Sequence, residues 1–452
     1  MSGLDLRFRA ALARLEKAGR VTHVRREVSA DLEIAGLMKR YDGDRALLFE
    51  RVAGHRIKVL GNFLGSPANA EAAFGLDQRG IRERMRCALS APIPPQRVET
   101  GPCQDVVKTS GIDLGRDLPV LRHSPGDAGR FITAGVVIVR DPDTGVHNAS
   151  YHRLQLIGPD RTAIRLDYGR HLRTAYERAQ KTGRPLPIAV CLGSDLALHY
   201  AAAFMGSQMP LEADELAAAG GLGGRPLEMV RCVTQDLSVV AETEIVIEGE
   251  VTTETTHEGP FAEFVGYQSD AGPAPVVKVT ALTHRRDPLY HAINGAGRET
   301  IMLRKYVLEA SALQALRAAV PIVEDVEMTP GGLYRFHLVV QVKKQRAGDE
   351  GMQRNAMLAA FAALKDLDYV IVVDDDIDIR DPVDIEYALA TRFEASRDMM
   401  LITGARGHEY IRVSDAGIRT KLGLDATVPI GERERFRRAE FARVELGPDD
   451  VG

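Results

Sequence analysis

Between Phe131 and Ile157 the chain is committed to antiparallel sheet, and this limits what the rest can become. Phe131 to Arg140 is rich in Ile and Val, Asp141-Pro142-Asp143-Thr144-Gly145 is a turn, and Ala149 to Ile157 reads as a second strand. Ile164-Arg165-Leu166 adds a third strand. A helix is expected from about Leu172 to Lys181, stopping at Gly183, followed by a strand from Pro187 to Leu192. Leu196 to Met205 and Glu212 to Ala219 read as helices. Ile245 to Val251 and Val276 to Thr280 return to strand. Many antiparallel strands with few helices predict a barrel-like α+β domain over residues 116–305.

The flanks follow a different pattern. Phe8, Leu12 and Leu15 share one helical face, and Gly19 stands where a C-cap is expected. Ser29 is placed to cap a short helix carrying Ile34, Leu37 and Met38. Ala46 to Phe49 and Ile57 to Leu60 read as strands, giving an α/β domain over 1–115. A linking helix from Tyr306 to Val320 opens the last section, 306–452. There the strand Tyr334–Val342, the helix Asn355–Leu364 and the strand Tyr369–Val373 resume α/β alternation.

Composition excludes several classes. The net charge of −5 over 452 residues gives no basic footprint for nucleic acid. No run of ~18 apolar residues is present to span a membrane, and the first residues lack a signal-peptide core. Cys87, Cys103, Cys191 and Cys232 form no CxxC pair, which favours a reducing compartment, and the protein is read as cytoplasmic.

Four constellations carry chemistry. His147-Asn148-Ala149-Ser150-Tyr151-His152-Arg153 packs polar and basic side chains onto the start of an apolar strand; alone, it reads equally as a solvated hairpin rim. His257-Glu258-Gly259-Pro260-Phe261-Ala262-Glu263 sets two carboxylates five apart across a Gly-Pro break. A straight strand would send them to opposite faces, but the break lets both turn to one site. Near an Arg, such a pair can hold different protonation states, as general-acid work requires. His171, Glu215 and Asn148 form an N/O set suited to Mn2+ more than to structural zinc. Asp374-Asp375-Asp376-Ile377-Asp378 lacks the glycine of a calcium loop and reads as a capped strand end or domain contact. The glycine-rich stretches 220–224 and 295–297 lack dinucleotide-fold spacing.

Together these pieces resemble the UbiD decarboxylase family. The hairpin with Asn148 and Arg153 resembles its first cofactor motif, and Glu258 to Tyr267 its second. Gly224 to Cys232 resembles a linking strand. Val373 to Asp378, Ala388 to Arg392 and Lys421 to Thr427 resemble C-terminal signatures. The resemblance implies an N-terminal α/β domain, a central split β-barrel that binds the flavin, and a C-terminal α/β oligomerisation domain after the linking helix. It implies prenylated FMN, a divalent metal (usually Mn2+) and K+. A catalytic trio of Arg153, Glu258 and Glu263 and metal ligands Asn148, His171 and Glu215 are carried over by motif. Ser150, Tyr151, His152, Arg153, Arg170, Met209 and Pro210 join Asn148, His171 and Glu215 as cofactor contacts. Along an extended strand Asn148 and Arg153 stand ~16 Å apart, a distance comparable to that between a flavin's phosphate and its ring.

The implied reaction is reversible, non-oxidative decarboxylation through a covalent adduct with the flavin, with Glu263 delivering the proton. Substrates would be aromatic or heteroaromatic acids of furan, pyrrole, indole or polycyclic type. Acrylic, cinnamic or phenolic acids are the alternative. His291, Asn294 and Arg298 are candidate substrate contacts, with a packed-core role the competing reading for their segment. Expected partners are a flavin prenyltransferase as cofactor supplier and further copies of the chain. Outside this class, an FMN oxidoreductase or a non-catalytic assembly subunit would fit a flavin-holding barrel.

Overall fold

A computed structural model describes residues 3–167, 170–204, 209–414, 416–439 and 441. The chain forms two compact units, one of residues 1–311 with 333–335, the other of 312–332 with 336–452. Both mix helix and sheet, as expected.

In the first unit the opening helix Phe8–Lys17 buries Phe8, Leu12 and Leu15, and Gly19 follows with φ +66°. The second helix runs Glu33–Arg40 and is not capped by Ser29. Asp31 bridges to Arg122 and Leu32 takes φ +67°, so the chain turns first and the helix begins later. Strands Val21–Val28, Ala46–Val52 and Lys58–Gly61 form a sheet completed by Leu289–Ala292, which pairs parallel to Lys58–Gly61. The N-terminal layer thus takes in a strand from after the central sheet.

Among the described residues the central sheet has nine strands. Their order is Phe131–Ile132, Leu154–Gly158, Arg161–Ile164, Gly272–His284, Ile245–Glu258, Leu186–Leu192, Val136–Arg140 and His147–Tyr151, with Val106–Lys108 pairing beside Gly272–His284. The hairpin read from sequence as two continuous arms is divided. Its turn half, Val136–Arg140 with His147–Tyr151, ends the sheet on one side. Its open half, Phe131–Ile132 with Leu154–Gly158, ends it on the other. Between the halves the backbone leaves strand geometry at 133–135 and 152–153, and His152 N donates to Gly135 O at 3.3 Å. The barrel is therefore split, with its seam inside one hairpin. A Cβ at Gly135 would stand 2.6 Å from Val190 Cγ1, so the seam closes only over glycine. Arg153 lies in this break.

The helix expected over Leu196 to Met205 spans Leu196–Ala201, and Met205 lies outside the described residues. The linking helix starts earlier than read, at Arg298, and runs to Ala319. In the second unit the sheet order is Val323–Met328, His337–Val342, Tyr369–Asp374, Ile418–Ala426, Met399–Arg406. Val339, Val373, Ile377, Ile385, Ala388 and Ala426 share one buried core. No helix among the described residues is long and apolar enough to cross a membrane.

Candidate active site

The long strand Ile245–Glu258 ends on Glu258, and Gly259 at φ +87° turns the chain back through a cis Gly259–Pro260 bond. Only glycine adopts that φ at no steric cost. The returning loop is tied at each step. Gly259 N donates to Gln155 Oε1 (2.9 Å), Phe261 N to Ser269 Oγ (3.2 Å), Ala262 N to buried Asp127 (3.1 Å) and Glu263 N to Tyr267 O (2.8 Å). The result is that Glu258 and Glu263 both face Arg153 at the barrel seam.

Arg153 grips Glu258 with two parallel bonds, Nε to Oε1 at 2.6 Å and Nη2 to Oε2 at 2.9 Å. Its Nη1 reaches Glu263 Oε1 at 2.5 Å. Bidentate pairing of this kind fixes the guanidinium plane. The Phe261 ring lies beneath it, 4.9 Å from Cζ. Burial opposes the arginine charge, but the two carboxylates outweigh it and hold the Arg153 pKa above its ordinary value. The two acids differ in setting: Glu258 is 1% exposed at its side chain and Glu263 17%.

On the turn side of the seam a second group gathers. Asn148 sits in the strand His147–Tyr151, while His171 and Glu215 each open a helix, His171–Lys181 and Glu215–Gly223. Asn148 Nδ2 lies 2.9 Å from Glu215 Oε1 and 3.5 Å from His171 Nδ1, and His171 Nδ1 lies 3.3 Å from Glu215 Oε1. Ligands at right angles around an ion with bonds of ~2.1 Å stand about 3 Å apart, so these spacings suit one face of a small divalent cation. Burial raises the Glu215 carboxyl above its usual range, against the pull of His171 and the Ala149 N–H. Among the described residues no group of three His, Cys, Asp or Glu has metal-ligating geometry, so an ion here would need the Asn oxygen.

Other expected cofactor contacts surround these. Ser150 Oγ lies 3.0 Å from Asn148 Oδ1 and 3.2 Å from His152 Nε2. Tyr151 hydrogen-bonds His199, whose Nε2 accepts from Ser194 N (3.2 Å). Arg170 is the N-cap residue of the helix that starts at His171. Met209 is 2% exposed and Pro210 is exposed.

Of the candidate substrate residues, His291 and Asn294 connect to this group through His199 and His123, which touch Tyr151 and Phe261. His291 is fully buried, bonding Glu299 at 2.9 Å and packing its ring against Phe8, Phe63 and His199. Asn294 donates to Ala35 O (3.0 Å) and pairs with His123 Nδ1 (3.0 Å), bracing two segments. Arg298 N donates to Asp42, and its exposed side chain runs beside Gly43. These contacts fit the packed-core reading of their segment. Ser269, Asp127, Gln155 and Phe261 were not singled out from sequence. Gln155, two residues beyond Arg153, and Phe261, between Glu258 and Glu263, had a local signal; Ser269 and Asp127 had none.

Three family models cover the chain in order: the 3-octaprenyl-4-hydroxybenzoate carboxy-lyase N-terminal domain at residues 12–89, its Rift-related domain at 96–298 and its C-terminal domain at 301–426. The chain belongs to the UbiD family and is a decarboxylase, a carboxy-lyase. Anhydromevalonate phosphate decarboxylase of Methanothermobacter thermautotrophicus is 36% identical over 91% of this chain and 95% of its own. Gallate decarboxylase of Lactiplantibacillus plantarum is 32% identical over 88% and 87%. The UbiD-class enzyme HmfF from Pelotomaculum thermopropionicum, solved with FMN, superposes with TM-score 0.91 at 41% identity over 98% of each chain. An evolved dimeric form of HmfF, solved with prFMN, gives 0.87 at 39% over 99% and 98%. The oxidoreductase and assembly-subunit readings give way to this class.

Proposed function

We propose that this enzyme removes CO2, reversibly and without net oxidation, from an aromatic or heteroaromatic acid, with prenylated FMN as cofactor. The flavin complexes of HmfF support the cofactor. When bound, prenylated FMN supplies the electron sink that lets CO2 leave an sp2 carbon. Asn148, His171 and Glu215 would hold a divalent metal such as Mn2+ at the phosphate end, with K+ as companion ion.

The observation that carries the reading is the unequal grip of Arg153. Both Glu258 oxygens accept from it, so Glu258 is committed to fixing the guanidinium plane. Glu263 gives only Oε1, leaving Oε2 free to hold a proton on the more exposed side of the cluster. Glu263 is therefore the acid that protonates the carbon after CO2 departs. Glu258 holds the guanidinium in place, and Arg153 orients the substrate carboxylate by charge-assisted bonds.

Glu263→Gln tests this. It should keep the flavin spectrum and lose turnover by roughly 10²–10⁴-fold, the span of general-acid catalysis. Retained decarboxylation together with retained deuterium uptake from solvent would remove Glu263 from the role.

The acid is taken as furan, pyrrole, indole or polycyclic in type, with phenolic or acrylic acids as the alternative; the named relatives act on dissimilar acids. All four cysteines are buried and unpaired, which supports a reducing, cytoplasmic setting. A flavin prenyltransferase would supply the cofactor. Self-association is proposed as well, with the evolved dimeric form of HmfF as a precedent.

A further inference from the structure

Every hydrogen bond between His152 and Asn148 has a direction, and the directions are forced from one end. His152 Nδ1 lies 3.1 Å from the carbonyl oxygen of Arg165. A carbonyl only accepts, so Nδ1 carries a proton. Burial lowers the His152 pKa, so the ring is neutral and Nε2 has a bare lone pair. That lone pair faces Ser150 Oγ at 3.2 Å, and the single hydroxyl proton of Ser150 must go to it. Ser150 Oγ, 3.0 Å from the Asn148 amide, is then an acceptor there. The amide must present its NH2 to Ser150. The nitrogen and oxygen of an amide differ only by assignment, and the network decides between them. With NH2 toward Ser150, the oxygen takes the position 2.9 Å from Glu215 Oε1 and 3.5 Å from His171 Nδ1. The Asn148 oxygen, Glu215 Oε1 and His171 Nδ1 then converge on one point, the donor set a cation takes once Nδ1 gives up its proton.

We propose that Ser150 and His152 are positioning residues that turn the Asn148 amide so that its oxygen, not its nitrogen, faces Glu215 and His171 as a metal ligand. This rests on the reading of Asn148, His171 and Glu215 as the metal site. Neither residue touches the ion. Partners behind a ligand typically alter metal affinity by 10–100-fold.

The test is Mn2+ affinity of the full-length, flavin-loaded protein, measured by calorimetry and by electron paramagnetic resonance of free Mn2+. Ser150→Ala should weaken Mn2+ binding about tenfold or more, and Ser150→Thr, which keeps the hydroxyl, should restore it. His152→Phe should cost a similar factor and not add to Ser150→Ala, since both act through one chain of bonds. The deciding measurement uses Asn148→Asp. A carboxylate presents oxygen from either side, so Ser150→Ala made on top of Asn148→Asp should cost less than about twofold. An equal loss in both backgrounds would mean that Ser150 only packs, and unchanged affinity in Ser150→Ala alone would equally overturn the inference. Absence of Mn2+ binding in the unmutated protein would instead overturn the metal site itself.

Discussion

Arg153 and Asp195 show two ways of burying a charge at the scale of single residues. Arg153 is matched by two carboxylates and keeps its charge firmly. Asp195 caps the helix Leu196–Ala201, accepting from Ala197 N at 2.8 Å and from Arg225 at 3.1 Å, but burial dominates and lifts its pKa from 3.8 to about 6. The folded state therefore holds this proton more tightly than the unfolded chain does. As pH rises from about 4 to 6, folding loses stability, because an anion must form where it is poorly solvated. At ~1.4 kcal/mol per unit, the loss approaches about 3 kcal/mol. Asp195→Asn keeps an oxygen for the cap and has no proton to lose. Its stability relative to the parent should thus improve between pH 4.5 and pH 7.5, read as the difference in urea midpoints. A difference that does not change with pH would show that Asp195 titrates at its ordinary value.

Among the elements, the loop 259–266 brings Glu263 against Arg153, and it lies on a glycine. A Cβ at Gly295 would stand 2.1 Å from Ala262 O and 2.4 Å from the Phe261 ring. Both atoms belong to the loop that aims Glu263 and supports Arg153. Gly295→Ala should displace that loop and cut kcat by at least about tenfold, since small misplacements of reacting groups are costly. The flavin spectrum should be unchanged; parental kcat would show that the loop yields without moving Glu263. The sequence disclosed part of this element. Gly259-Pro260 announced a turn that could bring Glu258 and Glu263 together. Nothing local announced that their partner would be Arg153, 105 and 110 residues earlier, because strand pairing across a barrel leaves no periodic trace. The seam was hidden for a related reason. Phe131 to Arg140 reads as one apolar strand, and only closure against Val190 divides it at Gly135. Ser29 satisfied a capping pattern, yet the bridge from Asp31 to Arg122 delayed the helix. By contrast, the crowding of Asn148, Ser150 and His152 into one short polar stretch was readable, but not the backbone carbonyl of Arg165 that directs their bonds. His291 could be read from sequence as a substrate contact or as a packed-core residue, and its burial fits the second.

For the whole molecule, the proposed flavin and acid residues, 148 to 263, fall within one compact unit, while the C-terminal signatures fall in the other. Those signatures converge on a buried lock. Arg392 donates to Asp376 at 2.8 and 2.6 Å and to Asp374 at 3.3 Å, and Asp374 accepts from Val428 N at 2.7 Å. The run of aspartates is thus a strand end tied to a helix and to the segment after the strand Ile418–Ala426, as its lack of calcium-loop spacing implied. Removing Arg392, whose side chain is 2% exposed, strands Asp374 without its closest cation. Breaking a fully buried pair costs about 3–5 kcal/mol, and Arg433, 3.7 Å from Asp374, brings the loss here below that. Arg392→Ala should therefore unfold the second unit earlier. The chain has no Trp, so flavin fluorescence reports its own site without indole overlap, and far-UV circular dichroism reports both units. In the parent the two signals should be lost over one temperature range. In Arg392→Ala the dichroism should begin to fall at lower temperature while flavin release stays near the parental midpoint. If flavin is instead released along with the early dichroism change, the second unit is required to hold the cofactor site, and the two units fold as one cooperative body.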